Sequence, residues 1–257
     1  MQTLQIERRD DGVVTVTLDR PAKKNAINAT MWEELLAVFQ EVGGSERDRV
    51  LVLTGAGGAF CSGADLGDES RGERHQLDRM HAFGQVALAL HHVPKPVIAK
   101  VGGIAAGAGL NLALGCDLIV AGESARFSEI FVRRGLAIDL GGSWLLPRLV
   151  GMHKAKELAL LAEILDAEQA ERIGLVNRVV PDAELDAFVD DWARRLAAGP
   201  PLALQLTKRM LTNGLATGLA EALEAEGMAQ SVTAASQDTA EAIRAFLEKR
   251  EAHFQGR

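Results

Sequence analysis

The order of segments predicts an α/β core followed by a helical region. Two apolar runs of strand length, residues 49–54 and 97–101, each lead into a glycine-rich loop. Strand-like and helix-like patterns alternate as far as Val180, and beyond Pro181 the pattern is helical alone. This divides the chain into a core of residues 1–195 and a helical region of residues 196–257.

The elements follow in order. Residues 13–18 (VVTVTL) alternate as a strand does, after the turn-like Asp10-Asp11-Gly12. A polar loop, DRPAKKNAIN, carries Lys23 and Lys24. Thr30 with Glu33 fits a capping box, and Leu35, Val38, Phe39 and Val42 keep helical spacing until Gly43-Gly44. Residues 49–54 suit a parallel strand covered on both faces. A glycine loop, GAGGAFCSGADL, follows at 55–66, and the polar stretch 67–79 reads as a mobile loop. A helix over 77–92 leads to Pro94-Lys95-Pro96 and the strand 97–101. That strand turns through Gly103, Gly107 and Gly109 into an apolar helix over 110–114.

Residues 117–121 form a further strand, and 127–149 contain Asp139 within GLAIDLGG. Helices over 154–162 and 167–173 precede a strand over 176–180. Leu185, Phe188, Val189 and Trp192 share one helix face, Pro200-Pro201 opens another helix, and two more run over 221–228 and 240–250.

Composition narrows the function. A net charge of −7 over 257 residues argues against a nucleic-acid binder. Two cysteines, Cys61 and Cys116, give neither a disulfide framework nor metal-ligand spacing. The polar start, MQTLQIERRDDG, is unlike a secretory leader, and no apolar run reaches the ~18 residues of a membrane span. The expectation is a soluble, cytoplasmic protein.

Each glycine loop alone is explained by tight turns and close packing. Gly103, Gly107 and Gly109 also match a G-x-x-x-G-x-G spacing after a strand, which suggests a dinucleotide site. Against it stand the motif's depth in the chain and the lack of a clear acidic residue ~20 residues on. The sequence also has no tyrosine, which excludes a reductase using a Tyr–Lys pair. Taken together, Ser62-Gly63-Ala64 and Gly107-Ala108-Gly109 are small residues where backbone can approach a ligand. Two N–H groups aimed at one carbonyl oxygen would stabilise an enolate-type oxyanion.

FCSGADL (60–66), KPVIAKVGGIAAGAG (95–109), GCDLIVA (115–121), GGSWLLPRLVG (141–151) and AERIGLVNRVVP (170–181) resemble the enoyl-CoA hydratase/isomerase, or crotonase, family. The resemblance runs from about Gln5 to AFLEKR (245–250). It implies a spiral of repeated ββα units, a helical C-terminal region that builds homotrimers or hexamers, and acyl-CoA as substrate. No separate cofactor is implied, coenzyme A being part of the substrate. The matching oxyanion donors are the N–H groups of Ala64 and Ala108. Contacts to the substrate fall on Lys24, Ala26, Ser62, Asp65, Leu66, Asn111, Phe131, Gly141, Trp144 and Lys249.

The chain departs from the hydratase pattern at two positions. Asn111 and Phe131 stand where family hydratases carry two glutamates, and neither side chain accepts a proton at neutral pH. Asp139, among apolar neighbours and followed by GGSWLLPR, resembles the single carboxylate of the phenylacetyl-CoA-type isomerases. One carboxylate suits a 1,3-proton shift, and apolar surroundings make it a stronger base. Hydration stays open, since Asn111 can orient a water and Asp68 or Glu69 can swing in. A non-catalytic binding protein stays open too. Asp139 also reads as an N-cap for the helix near Gly141. Glu129 falls two residues early for the family's glutamate and reads as structural. Trp144 and Cys61 read as packed residues, and Lys23, Lys24, Lys249 and Arg250 as either solvated charge or contacts to the polyanionic coenzyme.

Overall fold

The computed structural model describes residues 1–68 and 75–257. Strands β1 (Leu4–Arg8), β2 (Val13–Leu18), β3 (Val50–Gly55) and β4 (Val97–Val101) are followed by β5 (Ile104–Ala106), β6 (Leu118–Gly122), β7 (Arg126–Ser128), β8 (Leu165–Asp166) and β9 (Arg178–Val180). Helices α1 (Ala29–Gly44), α2 (Gln76–His91), α3 (Ala108–Leu114), α4 (Gly142–Val150), α5 (Met152–Leu161) and α6 (Ala167–Arg172) are interleaved with them. After the last strand come α7 (Leu185–Ala197), α8 (Pro201–Gly214), α9 (Leu219–Ala234) and α10 (Gln237–Glu248).

One sheet has the order β1-β2-β3-β4-β6-β9, with β1 antiparallel and every other pair parallel. A smaller sheet, β5-β7-β8, lies beside it. Parallel strands joined through helices need cover on both faces, and the side chains divide accordingly. Val14, Val16, Leu51, Leu53, Val97, Ala99, Ile119 and Ala121 point into the larger core under α1, α2 and α3. Val13, Val50, Val52, Ile98 and Val120 point the other way, onto Leu185, Val189, Ala193 and Ala197 of α7. The two-residue period of a strand thus feeds two cores from one run of apolar residues.

Several sequence expectations are corrected. The cap of α1 is Asn28, whose side chain accepts the Met31 N–H, and Thr30 lies inside the helix. Asn28 has the extended backbone an N-cap requires (φ −92°, ψ 179°) and comes first in the chain. Strands β1, β5, β7 and β8 carry too few residues or too mixed a pattern to stand out in the sequence. The polar stretch 67–79 ends in helix, because α2 begins at Gln76. Glu69 lies outside the described residues.

The turn after β4 depends on glycine. Gly103 has φ +69°, and a methyl group there would lie 2.1 Å from the Gly58 carbonyl oxygen. At Gly109, on α3, a methyl group would lie 2.3 Å from the Cys61 carbonyl oxygen. Gly109→Ala is therefore expected to cost about 2 kcal/mol through overpacking, despite alanine's better helix propensity. A lowered urea midpoint at unchanged slope checks this; an unchanged or raised midpoint contradicts the close approach.

Candidate active site

The site begins with a buried asparagine. Asn25, fully buried at φ +55°, accepts the Arg20 N–H (2.9 Å) and donates to the Ala56 and Ala59 carbonyls (2.8 Å each). It ties the loop after β2 to the loop after β3. The two loops then pair: Ser62 N–H to the Lys24 carbonyl (3.0 Å), Ile27 N–H to Gly63 (2.8 Å) and Asp65 N–H to Ile27 (2.9 Å). Ile27 and Ala64 are parallel bridge partners. In that pattern the bonds come from residues 63 and 65, so the Ala64 N–H faces the opposite edge.

Across that edge lies the segment leading into α3. Cys61 bridges Ala105, with the Cys61 N–H bonded to Ile104 (3.0 Å) and the Ala106 N–H to Cys61 (2.9 Å). At Gly107 (φ 53°, ψ −127°) the chain leaves this ladder and opens α3 with Ala108. The first N–H groups of a helix have no partner within it. A methyl group at Gly63 would lie 3.7 Å from the Ala108 amide nitrogen. The amides of Ala64 and Ala108 thus sit on facing segments.

A cavity of about 540 Å³ opens beside Ala64. Ile27, Trp32, Leu66, Phe83, Ile138 and Asp139 are among the residues that line it. Trp32 and Phe83 stack with ring centres 4.3 Å apart, stiffening the wall formed by α1 and α2. Asp139 is the carboxylate facing it from the loop before α4. One oxygen of its carboxyl is buried with no hydrogen-bond partner, and burial pushes its pKa up to about 6. The side chain does not cap α4: Gly141 is the N-cap, with no side-chain bond. The backbone carbonyl of Asp139 is held instead, by the Gly142 N–H (2.9 Å) and the Asn111 Nδ2 (3.0 Å).

Asn111 is buried on α3 against Gly142, where a methyl group would lie 2.4 Å from Nδ2. Beside it lies Glu129, 1% exposed, with both carboxyl oxygens buried and unpartnered. Burial first, and then the charge of Asp139, push the Glu129 pKa up to about 8; Asn111 draws it back only in part. Reading Glu129 as structural overlooked this. Its single signal in the sequence is a carboxylate between the apolar Phe127 and Phe131.

The other expected residues divide into groups. Ala64, Asp65, Leu66 and Asp139 line the main cavity, and Asp65 is paired with Arg20 at 2.9 Å. Asn111, Gly141 and Trp144 line a second cavity of about 270 Å³ between α2, α3 and α4. Trp144 is not a core residue: it is 36% exposed, with the Arg148 guanidinium 4.1 Å from its ring centre. Its place in the first turn of α4 turns it outward. Phe131 is buried with its ring against Gly107. Ala26 is buried, Ser62 Oγ donates to the Lys23 carbonyl, and Lys24 is exposed on the same loop. Lys249 is the exposed C-cap of α10 and lines neither cavity. Cys61 is fully buried and its thiol is pushed up to about 12, as its reading as a packed residue requires. Among the described residues no group of three or more His, Cys, Asp or Glu could hold a metal. Among them no helix is long and apolar enough to cross a membrane.

The family model for enoyl-CoA hydratase/isomerase matches residues 8–257. The chain belongs to that family. A relative in Rhodobacter capsulatus, named "Probable enoyl-CoA hydratase", is 43% identical over 248 residues, 96% of each chain. The 1,2-epoxyphenylacetyl-CoA isomerase of Escherichia coli is 39% identical, covering 96% of this chain and 97% of its own. The crystal structure of an enoyl-CoA hydratase from Bacillus anthracis superposes with a TM-score of 0.95 at 31% identity, over the whole of both chains. The expected family and fold are thereby established, and this hydratase/isomerase chain has relatives named for both reactions.

Both raised carboxyls make the fold pH-dependent. The folded protein holds protons that the unfolded chain releases, so stability is lost as pH rises. For Asp139 the loss spans 3.8 to about 6, and for Glu129 it spans 4.5 to about 8. Asp139→Asn is expected to melt higher than wild type at pH 8 and to gain little at pH 4. Equal shifts at both pH values would contradict the raised pKa.

Proposed function

We propose that this family member isomerises an enoyl-CoA by a 1,3-proton shift, with Asp139 as the base. The observation that carries the reading is the half-buried carboxyl of Asp139, with one oxygen buried and unpartnered, on the wall of the main cavity that Ala64 also lines. The thioester carbonyl sits between the N–H groups of Ala64 and Ala108. Asp139 takes a proton from the carbon next to the thioester, and the C–H electron pair passes into a dienolate whose oxygen the two amides hold. Asp139 then returns the proton to the far end of the conjugated system. A carboxylate with a pKa of about 6 is largely ionised at neutral pH yet a stronger base than an exposed aspartate.

Two features support proton shift over water addition. Phe131 places a buried ring where a family hydratase is expected to carry a glutamate, and Asn111 spends one of its two side-chain N–H groups on the Asp139 backbone. Hydration is a second reading, favoured by the Oδ1 of Asn111, which is buried and unpartnered and can accept from a water. Lys24 and, from a neighbouring subunit, Lys249 supply cations for the coenzyme phosphates. No separate cofactor takes part, and the reaction belongs to the cytoplasm.

Wild-type enzyme with a 3-enoyl-CoA and with crotonyl-CoA separates the readings. Isomerisation faster than hydration is expected, with kcat/KM rising as pH passes upward through about 6. Asp139→Asn is expected to lose a factor of ~10² or more in kcat while folding normally. Asn at wild-type turnover would remove Asp139 from the mechanism.

We also propose a homotrimer or a pair of trimers. Leu211, Leu219, Leu223, Phe246 and Leu247 on α8, α9 and α10 are all more than half exposed, an unusual apolar density for an isolated chain. Light scattering should give a mass of three or six chains, and Leu219→Glu with Phe246→Glu should lower it. A monomeric wild type contradicts the assignment.

A further inference from the structure

Among the described residues, four buried side-chain N or O atoms lack a hydrogen-bond partner, and all four fall on three neighbours: Asn111 Oδ1, Glu129 Oε1 and Oε2, and Asp139 Oδ1. All are acceptors. The donor in the group is Asn111 Nδ2: one of its two N–H groups is taken by the Asp139 carbonyl, and the one left cannot serve four acceptor atoms. Burying acceptors alone is costly, and two buried carboxylates side by side are costlier still. A carboxyl proton is the further donor these three side chains can add by themselves.

We propose that Glu129 is a positioning residue for Asp139: it remains a neutral acid at neutral pH and gives its O–H in a hydrogen bond to the Asp139 carboxylate. The pair then holds one proton and one charge. Glu129 keeps its proton throughout turnover, while Asp139 accepts and returns the substrate's. The role has two physical parts. The hydrogen bond fixes the rotamer of a base that stands on a loop, and the retained proton spares the cavity a second negative charge beside the forming dienolate. The inference rests on Asp139 being the base.

The surroundings of Glu129 leave Asp139 as the charge that acts on it. Arg133 and Arg134, on the same turn, are exposed. The α5 helix packs on this turn, with His153, Lys156 and Glu157 exposed and Lys154 paired with Glu157. From α3 comes the neutral Asn111, and the Cys61 thiol, packed against α3 at Gly109, stays protonated. His91 lines the second cavity with Asn111, and burial lowers its pKa, which favours its neutral form. The pair's second ionisation falls to Glu129, at about 8.

The test uses Glu129→Gln, which retains a donor but cannot titrate, and Glu129→Met, which loses the donor. For wild type, kcat against pH on a 3-enoyl-CoA should rise through about 6 and fall through about 8. Gln should keep the acid limb and lose the alkaline fall. Met should lose roughly 10- to 100-fold in kcat with KM little changed, as for a missing hydrogen bond to a charged group. An alkaline limb unchanged in Gln, or Met at wild-type kcat, overturns the proposal. Melting temperature against pH gives a readout that needs no substrate. Wild type should lose stability between pH 6 and 8, and Gln should not; parallel curves also overturn it. If Asp139→Asn retains activity while the melting curves differ as expected, the base assignment has failed and the shared proton has not.

Discussion

Everything in this site depends on how closely two loop segments approach. Cys61 pairs with Ala105, and the Cys61 carbonyl lies so near α3 that only glycine fits at position 109. That contact sets the amides of Ala64 and Ala108 on facing segments, and it aligns α3 so that Asn111 points toward the loop of Asp139. Gly63, Gly103 and Gly109 are thus one device, since each removes a side chain from a place where backbone must meet backbone, while Gly107 supplies the left-handed φ of the turn into α3. The asparagine knot at Asn25 does the same work one layer out, pinning the loop after β2 against the loop after β3.

On this frame the chemistry is a problem of buried charge. Three neighbouring side chains, Asn111, Glu129 and Asp139, carry buried, unpartnered acceptor oxygens, and Asp139 among them lines the main cavity. Such an arrangement lowers stability as pH rises, and a reactive base requires the same thing. A carboxyl that water and cations do not stabilise is one that takes a proton from carbon more readily. The cost falls on a scaffold with two well-filled cores, one on each face of the main sheet.

Much of this was legible in the sequence because period and punctuation state it directly. The alternation in VVTVTL, the continuous run at 49–54 and the glycines after each strand identify the parallel sheet and its loops. Five ordered motifs resemble the family that the comparisons establish. Other features were not legible. Glu129 reads as an ordinary carboxylate because burial is a property of the fold, and its two flanking phenylalanines are the single hint. Asn25 looks like one more polar loop residue, and its left-handed backbone and three hydrogen bonds exist only when both loops are in place. Trp144 misleads in the opposite direction: a tryptophan in an apolar string suggests core, yet the first turn of α4 presents it at the surface.

The central claim is that one carboxylate carries the proton between the two carbons. A 3-enoyl-CoA deuterated at the carbon next to the thioester, converted in ordinary water under single-turnover conditions, tests it most directly. Transfer by Asp139 within a site closed to solvent predicts deuterium at the far carbon of the product, in excess of any found with Asp139→Asn. Complete loss of the label to water, with the rate unchanged by Asp139→Asn, would contradict the account.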